Sequence, residues 1–280
     1  MSSRYAGAEY VPSANVGFAG AAALALGRAR GEWIALFNDD VTLESGALRE
    51  LLDAGRADPR IGSVAPQVRF HDRPDTINSA GLEVDRLGMA CDRLLGEPLG
   101  SSETEVTEVF GASGGAALYR RAMLDDVGGF DPSFFAYLED VDVAWRAQLR
   151  GWRAVYAPRA VVHHRHSASF EHGSSRKHFL VGRNRVVLLA KNADRRQLRR
   201  YGPAMVAYDL AYVGYVAVTQ RTLQPLRGRL AGLAAWSRYR QAAGVSRRPV
   251  ELTKRKGLRA ALRRHRAWPE QIAGGGPPSG

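Results

Sequence analysis

Three short runs hold the side chains of this sequence that are able to do chemistry. Asn38-Asp39-Asp40 follows directly on the apolar run Trp33 to Phe37. Adjacent carboxylates at the end of a strand repel each other and cost solvation, so a compensating group is expected. Ligands of open α/β sheets bind outside the carboxyl ends of strands. Oxygen donors there suit Mg²⁺ or Mn²⁺, cations that clamp a diphosphate and neutralise charge as it departs. Asp39, Asp40 or Thr42 also fits plain N-capping of a following helix. The second run, Glu139-Asp140-Val141-Asp142, comes after the aromatic stretch Phe134-Phe135-Ala136-Tyr137. A helix dipole accounts for acids at a helix start. Aromatic neighbours also desolvate a carboxylate and offer a stacking face, and a carboxylate beside a hydroxyl serves as general base. The third run is His163, His164 and His166, with His172 and His178 further on. Histidines past a strand end read as metal ligands or as part of a phosphate-binding surface.

The elements that must position these groups follow from periodicity. Trp33 to Phe37 reads as a strand buried on both faces, and Ile61 to Val68 as a strand interrupted by Pro66. Helices are expected over Ala21 to Ala29, Glu44 to Ala54, Arg120 to Val127 and Glu139 to Arg150. Residues 70–108 read as an irregular excursion that includes a hairpin, Val109 to Tyr119 as a loop into a strand, and Ala154 to Val162 as a strand. From Arg176 onward the pattern is helical and basic, and the tail ending AGGGPPSG is expected to be disordered. Alternating strands and helices of these lengths make an α/β sheet with crossovers.

Composition narrows the function classes. The chain has 280 residues, 45% hydrophobic and 24% charged, and this excludes disorder of its bulk. The single Cys91 excludes a disulfide framework and a cysteine zinc cage. No uncharged apolar run reaches about 18 residues. MSSRYAGAEY lacks an apolar signal core. The expectation is a cytoplasmic protein, at the inner face of the membrane if its basic part binds there. The net charge of +12 is unevenly spread: residues 1–144 carry 12 basic against 23 acidic side chains, and residues 145–280 carry 28 against 5. A basic appendage on an acidic body fits that split, whereas a protein that coats nucleic acid does not. GxxxxGK[ST], GxSxG and GxGxxG are absent, and with them the main support for ATPase, hydrolase and dehydrogenase readings.

Asn15-Val16-Gly17-Phe18-Ala19-Gly20, then Gly31-Glu32 and a strand ending in Asn38-Asp39-Asp40, resembles the family 2 glycosyltransferases, above all their rhamnosyltransferase-like branch. The block from Gly111 to Ser169 is the strongest match, with FDxxFFxYxEDVDxxWRxxxxGW over Phe130 to Trp152 its most specific string. The resemblance runs from Asn15 to Asn192 and leaves out the basic tail. It implies a GT-A fold, a nucleotide-diphosphate sugar donor, a divalent metal (Mg²⁺ or Mn²⁺), inversion at the anomeric carbon, and a glycan or lipid-linked acceptor. In the catalytic role it places Asp140 as base, with Glu139 second. In the metal site it places Asp40, with Asn38 in the first position of a DxD-like motif, Asp39 the weakest of the three, and His164 in an H-x-x-S-x-S pattern with Ser167 and Ser169. Beside the substrates it places Asn15, Gly17, Gly114, Gly115, Asp142, Trp145 and Arg183, with support of the site or capping of the helix the other role it gives Asp142.

Only 14 residues precede Asn15, where the family has a strand, a helix and a second strand. The expected architecture is therefore a GT-A domain over 1–192, truncated at its N-terminus, a basic helical extension over 193–266, and a disordered tail over 267–280. A non-catalytic glycosyltransferase-like binding or scaffold protein is the alternative reading of that short start. Pro203 to Gln220 is apolar, broken by Asp209 and flanked by arginines, so it fits either a membrane surface or a helix packed on the body. The arginine clusters at 195–200 and 254–266 suit anionic headgroups, and no nucleic-acid-binding motif occurs among them.

Overall fold

The computed structural model describes residues 8–165, 174–242, 250 and 252. Its centre is a mixed sheet in the order β1 (Trp33–Phe37), β8 (Ala116–Arg120), β3 (Ile61–Phe70), β9 (Arg153–His164), β2 (Val41–Leu43), with β4 (Arg73–Ser79) paired to β3 and β7 (Thr107–Val109) paired to β9. Strands β3 and β9 run parallel, and β8 is antiparallel to both β1 and β3. Every residue of β3 but Arg69 is buried. The reason is position: β3 has a strand on either side and helices above and below.

Side-chain alternation sorts the two faces. Ile61, Val64 and Leu118 meet Leu51 and Ala54 of α2 (Ala47–Arg56), together with Val155, Ala157 and Ala160 of β9. Ala65, Ala117 and Tyr119 point the other way, onto Ala22 of α1 (Gly17–Arg28), Met123, Leu124 and Val127 of α3 (Arg121–Val127), and Val143 and Ala147 of α4 (Glu139–Leu149). This is the expected α/β layering, with strand and helix periods both satisfied.

Pro66 does not end its strand. The β3–β9 register shifts between Pro66 and Gln67, where Pro66 faces Ala157 and Gln67 faces Val161. The residues skipped on β9 include Pro158, so two prolines that have no N–H to donate share one bulge and the ladder resumes beyond it. The expected full burial of Trp33 to Phe37 is corrected: β1 lies at the edge of the sheet and its side chains are half-buried or exposed. The 70–108 excursion is more regular than its composition implies. It contains β4, the small antiparallel pair β5 (Leu82–Val84) and β6 (Ala90–Asp92), and the start of β7.

From Ser175 to Ala242 the described chain is helical, in keeping with the pattern from Arg176 onward: α5 (Ser175–Asn192), α6 (Arg195–Gln220), α7 (Gln224–Ala234) and α8 (Trp236–Ala242). A hydrophobic cluster joins it to the body, with Trp145 and Val141 of α4 packed with Val187, Leu188, Met205 and Tyr239. Helices α5 and α7 cross closely at glycine. A Cβ on Gly228 would overlap the Phe179 carbonyl, and one on Gly232 would lie 2.7 Å from the Val186 Cβ. The described extension is thus docked on the body through its own core.

Candidate active site

The carboxyl end of β1 and the entry to β8 are tied together, because the Asn38 N–H donates to the Gly115 carbonyl at 2.9 Å. One residue back, the Gly114 N–H donates to Asp140 Oδ2 at 2.8 Å. The glycine pair therefore bridges the strand-end acids and the first turn of α4. A Cβ at Gly114 would lie 3.1 Å from the Phe18 ring and 3.4 Å from the Asp140 Cβ, so a side chain there would press on both. Phe18 is on the first turn of α1. Gly17, at φ +71°, starts that helix where a Cβ would collide with the Phe135 carbonyl. That carbonyl accepts the Ala19 N–H at 3.0 Å. Asn15 is exposed and its Oδ1 accepts the Gly17 N–H at 3.2 Å, which shapes the turn into the helix.

The run Phe134-Phe135-Ala136-Tyr137-Leu138 is where the backbone is most unusual. Phe135, Tyr137 and Leu138 have φ of 63°, 73° and 68°, left-handed values that each cost a side-chain-bearing residue on the order of 1 kcal/mol. Asn184 fastens them. This fully buried side chain on α5 brings its Nδ2 within 2.9 Å of the carbonyls of Phe134, Ala136 and Tyr137. The family resemblance takes in Arg183-Asn184 as a pair without giving Asn184 a role; in sequence it stands between two arginines, and only these contacts show what it holds.

The resulting acid pair has a clear electrostatic division. Glu139 is buried, and its Oε2 has no hydrogen-bond partner. Burial first, then the Asp140 charge, pushes its carboxyl up to about 8. Burial also raises the Asp140 carboxyl, but N–H groups of Gly114 and Val141 oppose the rise by bonding its two oxygens at 2.8 and 2.7 Å. Glu139 therefore keeps its proton at neutral pH, and the two N–H groups favour the charged form of Asp140 over that of its neighbour. Tyr119, buried beneath them, has its phenol held well above the ordinary range by burial and by both carboxylates. A pH prediction follows. Between the ordinary carboxyl value of 4.5 and about 8 the folded chain binds more protons at Glu139 than the unfolded chain does, so stability falls as pH rises through that window. Glu139→Gln cannot titrate, and the decline in melting temperature from pH 5 to pH 8 is expected to flatten in that variant when both proteins are melted across the series.

The other half of the site is Asp40 with His164. Strand β2 pairs with β9 so that Val41 faces His164, and His164 Nε2 stands 3.2 Å from Asp40 Oδ1. His164 Nδ1 is 3.2 Å from Asn78 Oδ1. The Asp40 carboxylate and the His164 imidazole thus lie close enough for one divalent cation to be held between them. A carboxylate and an imidazole, both largely buried, fit Mn²⁺ or Mg²⁺, which completes its shell with water and substrate phosphates. No cluster of three His, Cys, Asp or Glu side chains able to hold a metal occurs among the described residues. Asn38 sits beside Gly115, with its Nδ2 3.6 Å from where a Cβ would stand, and Asp39 is exposed. His163 pairs with Glu44 instead, at 2.8 Å. His166, Ser167, Ser169 and His172 lie outside the described residues.

Three expected substrate contacts are placed elsewhere. Asp142 is fully buried; Arg146 and Lys191 take one of its oxygens at 2.7 and 2.9 Å, and Asn192 takes the other at 2.9 Å. It anchors α4 to α5. Trp145 is 1% exposed and stacks edge-on against Phe110 at 5.9 Å in the core. Arg183 donates to the Ser133 carbonyl, Asn184 Oδ1 and the Tyr239 hydroxyl, and so braces the loop from behind. Each is within five residues of a residue of the site, a proximity in sequence that a motif does not distinguish from direct contact.

Residues 2–179 match the family described as "Glycosyltransferase like family 2". Among curated proteins, the chain is similar to the N-acetylglucosaminyl-diphospho-decaprenol L-rhamnosyltransferase of Mycobacterium tuberculosis, at 34% identity over 149 residues, which are 48% of this chain and 47% of that protein. It is also similar to the pre-mycofactocin glycosyltransferase of the same organism, at 30% identity over 187 residues, 65% of this chain and 37% of that protein. The chain spans about half the length, or less, of these relatives. Among solved structures, it is similar in fold to GalNAc-T7 with UDP, GalNAc and Mn²⁺, with a TM-score of 0.52 and 16% identity over 68% of this chain and 38% of that one.

Proposed function

The chain belongs to glycosyltransferase family 2, with a GT-A fold, and from that premise we propose that it moves a sugar from a nucleotide-diphosphate donor to a hydroxyl of a cell-envelope or polysaccharide acceptor, glycan or lipid-linked, with inversion. The observation that carries this reading is the bond from Gly114 N–H to Asp140, because it joins one ionised carboxylate to the glycine pair that also holds Asn38. Asp140 accepts the proton of the acceptor hydroxyl as that oxygen bonds to the anomeric carbon. The bond from that carbon to the diphosphate oxygen breaks in the same displacement, and the nucleoside diphosphate leaves with the electron pair. A single displacement inverts the centre.

Glu139, carrying its proton, keeps a second negative charge away from the base, and Asn184 keeps the loop in the shape that aims Asp140. Gly115, half-buried, leaves space for a sugar ring beside Asn38. Asp40 and His164 are the residues that would hold the divalent metal, whose charge would stabilise the departing diphosphate. The diphospho-decaprenol named for one relative supports a lipid-linked acceptor as the first class to try.

The test is thermal unfolding of the chain with UDP, dTDP or GDP, with and without Mn²⁺. A nucleotide present at about 100 times its Kd is expected to add about 2.7 kcal/mol. The shift should require metal and disappear in Asp40→Ala. A cooperative melt that no nucleotide moves, with or without Mn²⁺, would overturn donor binding by this chain.

A further inference from the structure

Helix α6 wears its polarity the wrong way round for a water-facing element. Over Pro203 to Gln220 its single charged residue, Asp209, faces inward and is paired with Arg185 and Arg229, both at 2.7 Å. Met205, Val213 and Val216 are buried on that inner side. The outer side carries Pro203, Val206, Leu210, Gly214 and Val218, all exposed, with Val206 at 58%, Leu210 at 61% and Val218 at 81%. At 3.6 residues per turn these positions fall within one half of the helix surface. A helix on a soluble body ordinarily puts charge there.

The same half-surface is basic at its ends. Arg196, Arg199 and Arg200 are exposed, and the helical period places them on the apolar side, about two to three turns before Val206. Arg221 is exposed directly after the last turn. No described helix is long and apolar enough to cross a membrane. A long helix with one apolar side, arginines at its ends and no spanning capacity has the chemistry of an element that lies in the headgroup region, its aliphatic face among acyl chains and its guanidinium groups on lipid phosphates. We propose that the outward face of α6 docks this protein on an anionic phospholipid bilayer.

The placement has a consequence for the site. Gln220, at the end of α6, pairs with His178 of α5, and the neighbouring Lys177 and Arg176 lie over the rings of Tyr137 and Phe135, at 5.5 and 4.4 Å. Docking through α6 thus sets the bilayer near the loop that leads into Asp140. This consequence, though not the docking itself, rests on the lipid-linked acceptor proposed above.

Co-sedimentation of the purified full chain with vesicles tests the proposal. Binding is expected to phosphatidylcholine vesicles holding about one-third phosphatidylglycerol, weaker binding to phosphatidylcholine alone, and loss of the difference in about 0.5 M salt. The double variant Leu210→Asp/Val218→Asp and the triple variant Arg196→Gln/Arg199→Gln/Arg200→Gln should each bind at least roughly tenfold more weakly. All five positions are exposed, so the nucleotide-dependent thermal shift should persist in both variants. That shift reports on the enzyme reading separately from vesicle binding. Unchanged sedimentation of both variants would overturn the proposal. So would a wild-type chain that ignores anionic vesicles but forms a dimer in sedimentation velocity that the Leu210→Asp/Val218→Asp variant lacks, since a second copy would then be the occupant.

Discussion

Asp140→Asn is expected to lower the turnover of sugar transfer by about 10²–10⁴-fold with little change in the affinity for donor. The substitution preserves shape and an oxygen acceptor, so one of the two N–H groups from Gly114 and Val141 keeps its partner. What it removes is the basic oxygen, and a general base contributes to the transition state far more than to ground-state binding. The fold should survive: a lost hydrogen bond costs about 1 kcal/mol, and removal of a partly buried charge offsets some of it. Glu139→Gln is the paired control. Because Glu139 carries a proton at neutral pH, its amide analogue should retain much more activity than Asp140→Asn. The assignment fails if the order is reversed, with Glu139→Gln the slower of the two.

Asp142→Ala should be the most destabilising of the acid substitutions, by about 3–5 kcal/mol. Its carboxylate has no exposure and holds Arg146, Lys191 and Asn192 around it. Removing it leaves a lysine with Asp131, at 2.7 Å, and the Phe134 ring, and an arginine with the carbonyls of Val127 and Gly129. The cost comes mainly from two largely buried cations that lose their shared carboxylate, and from the unpaired Asn192 amide. Denaturant unfolding measures it as a lower midpoint at unchanged slope. The expected substrate contact makes the opposite prediction, an unchanged midpoint with a raised KM for donor or acceptor, so one variant separates the two roles.

The difference between Asp140 and Asp142 illustrates how far residue patterns reach. Glu139, Asp140 and Asp142 begin a helix, and at about 100° per residue they project in three directions. Their presence at a helix start after an aromatic run was legible, as were the β1 run that stops before Asn38, the helices from Ser175 to Ala242 and the α/β alternation. All are local: they follow from periodicity, from strand length and from the preference of a helix N-terminus for negative charge. The specific string from Phe130 to Trp152 also marked the family, which the match over residues 2–179 bears out.

Partnership was not local. Asp140 accepts from Gly114, 26 residues before it, whereas Asp142 is claimed by Lys191 and Asn192, about 50 residues after it. Trp145 shares the motif of the acids, yet packing against Phe110 removes it from any solvent-filled site. Asn184 carries no motif signal strong enough to separate it from its neighbours, but it holds three left-handed residues in place. Burial of β1 depended likewise on its place in the sheet order, which its five apolar letters do not encode. By itself, the sequence determined the elements, the family and the set of groups able to do chemistry. Only the tertiary structure decided which acid is ionised, which is an anchor and which side of α6 meets water, because desolvation and pairing depend on groups that folding brings from distant parts of the chain.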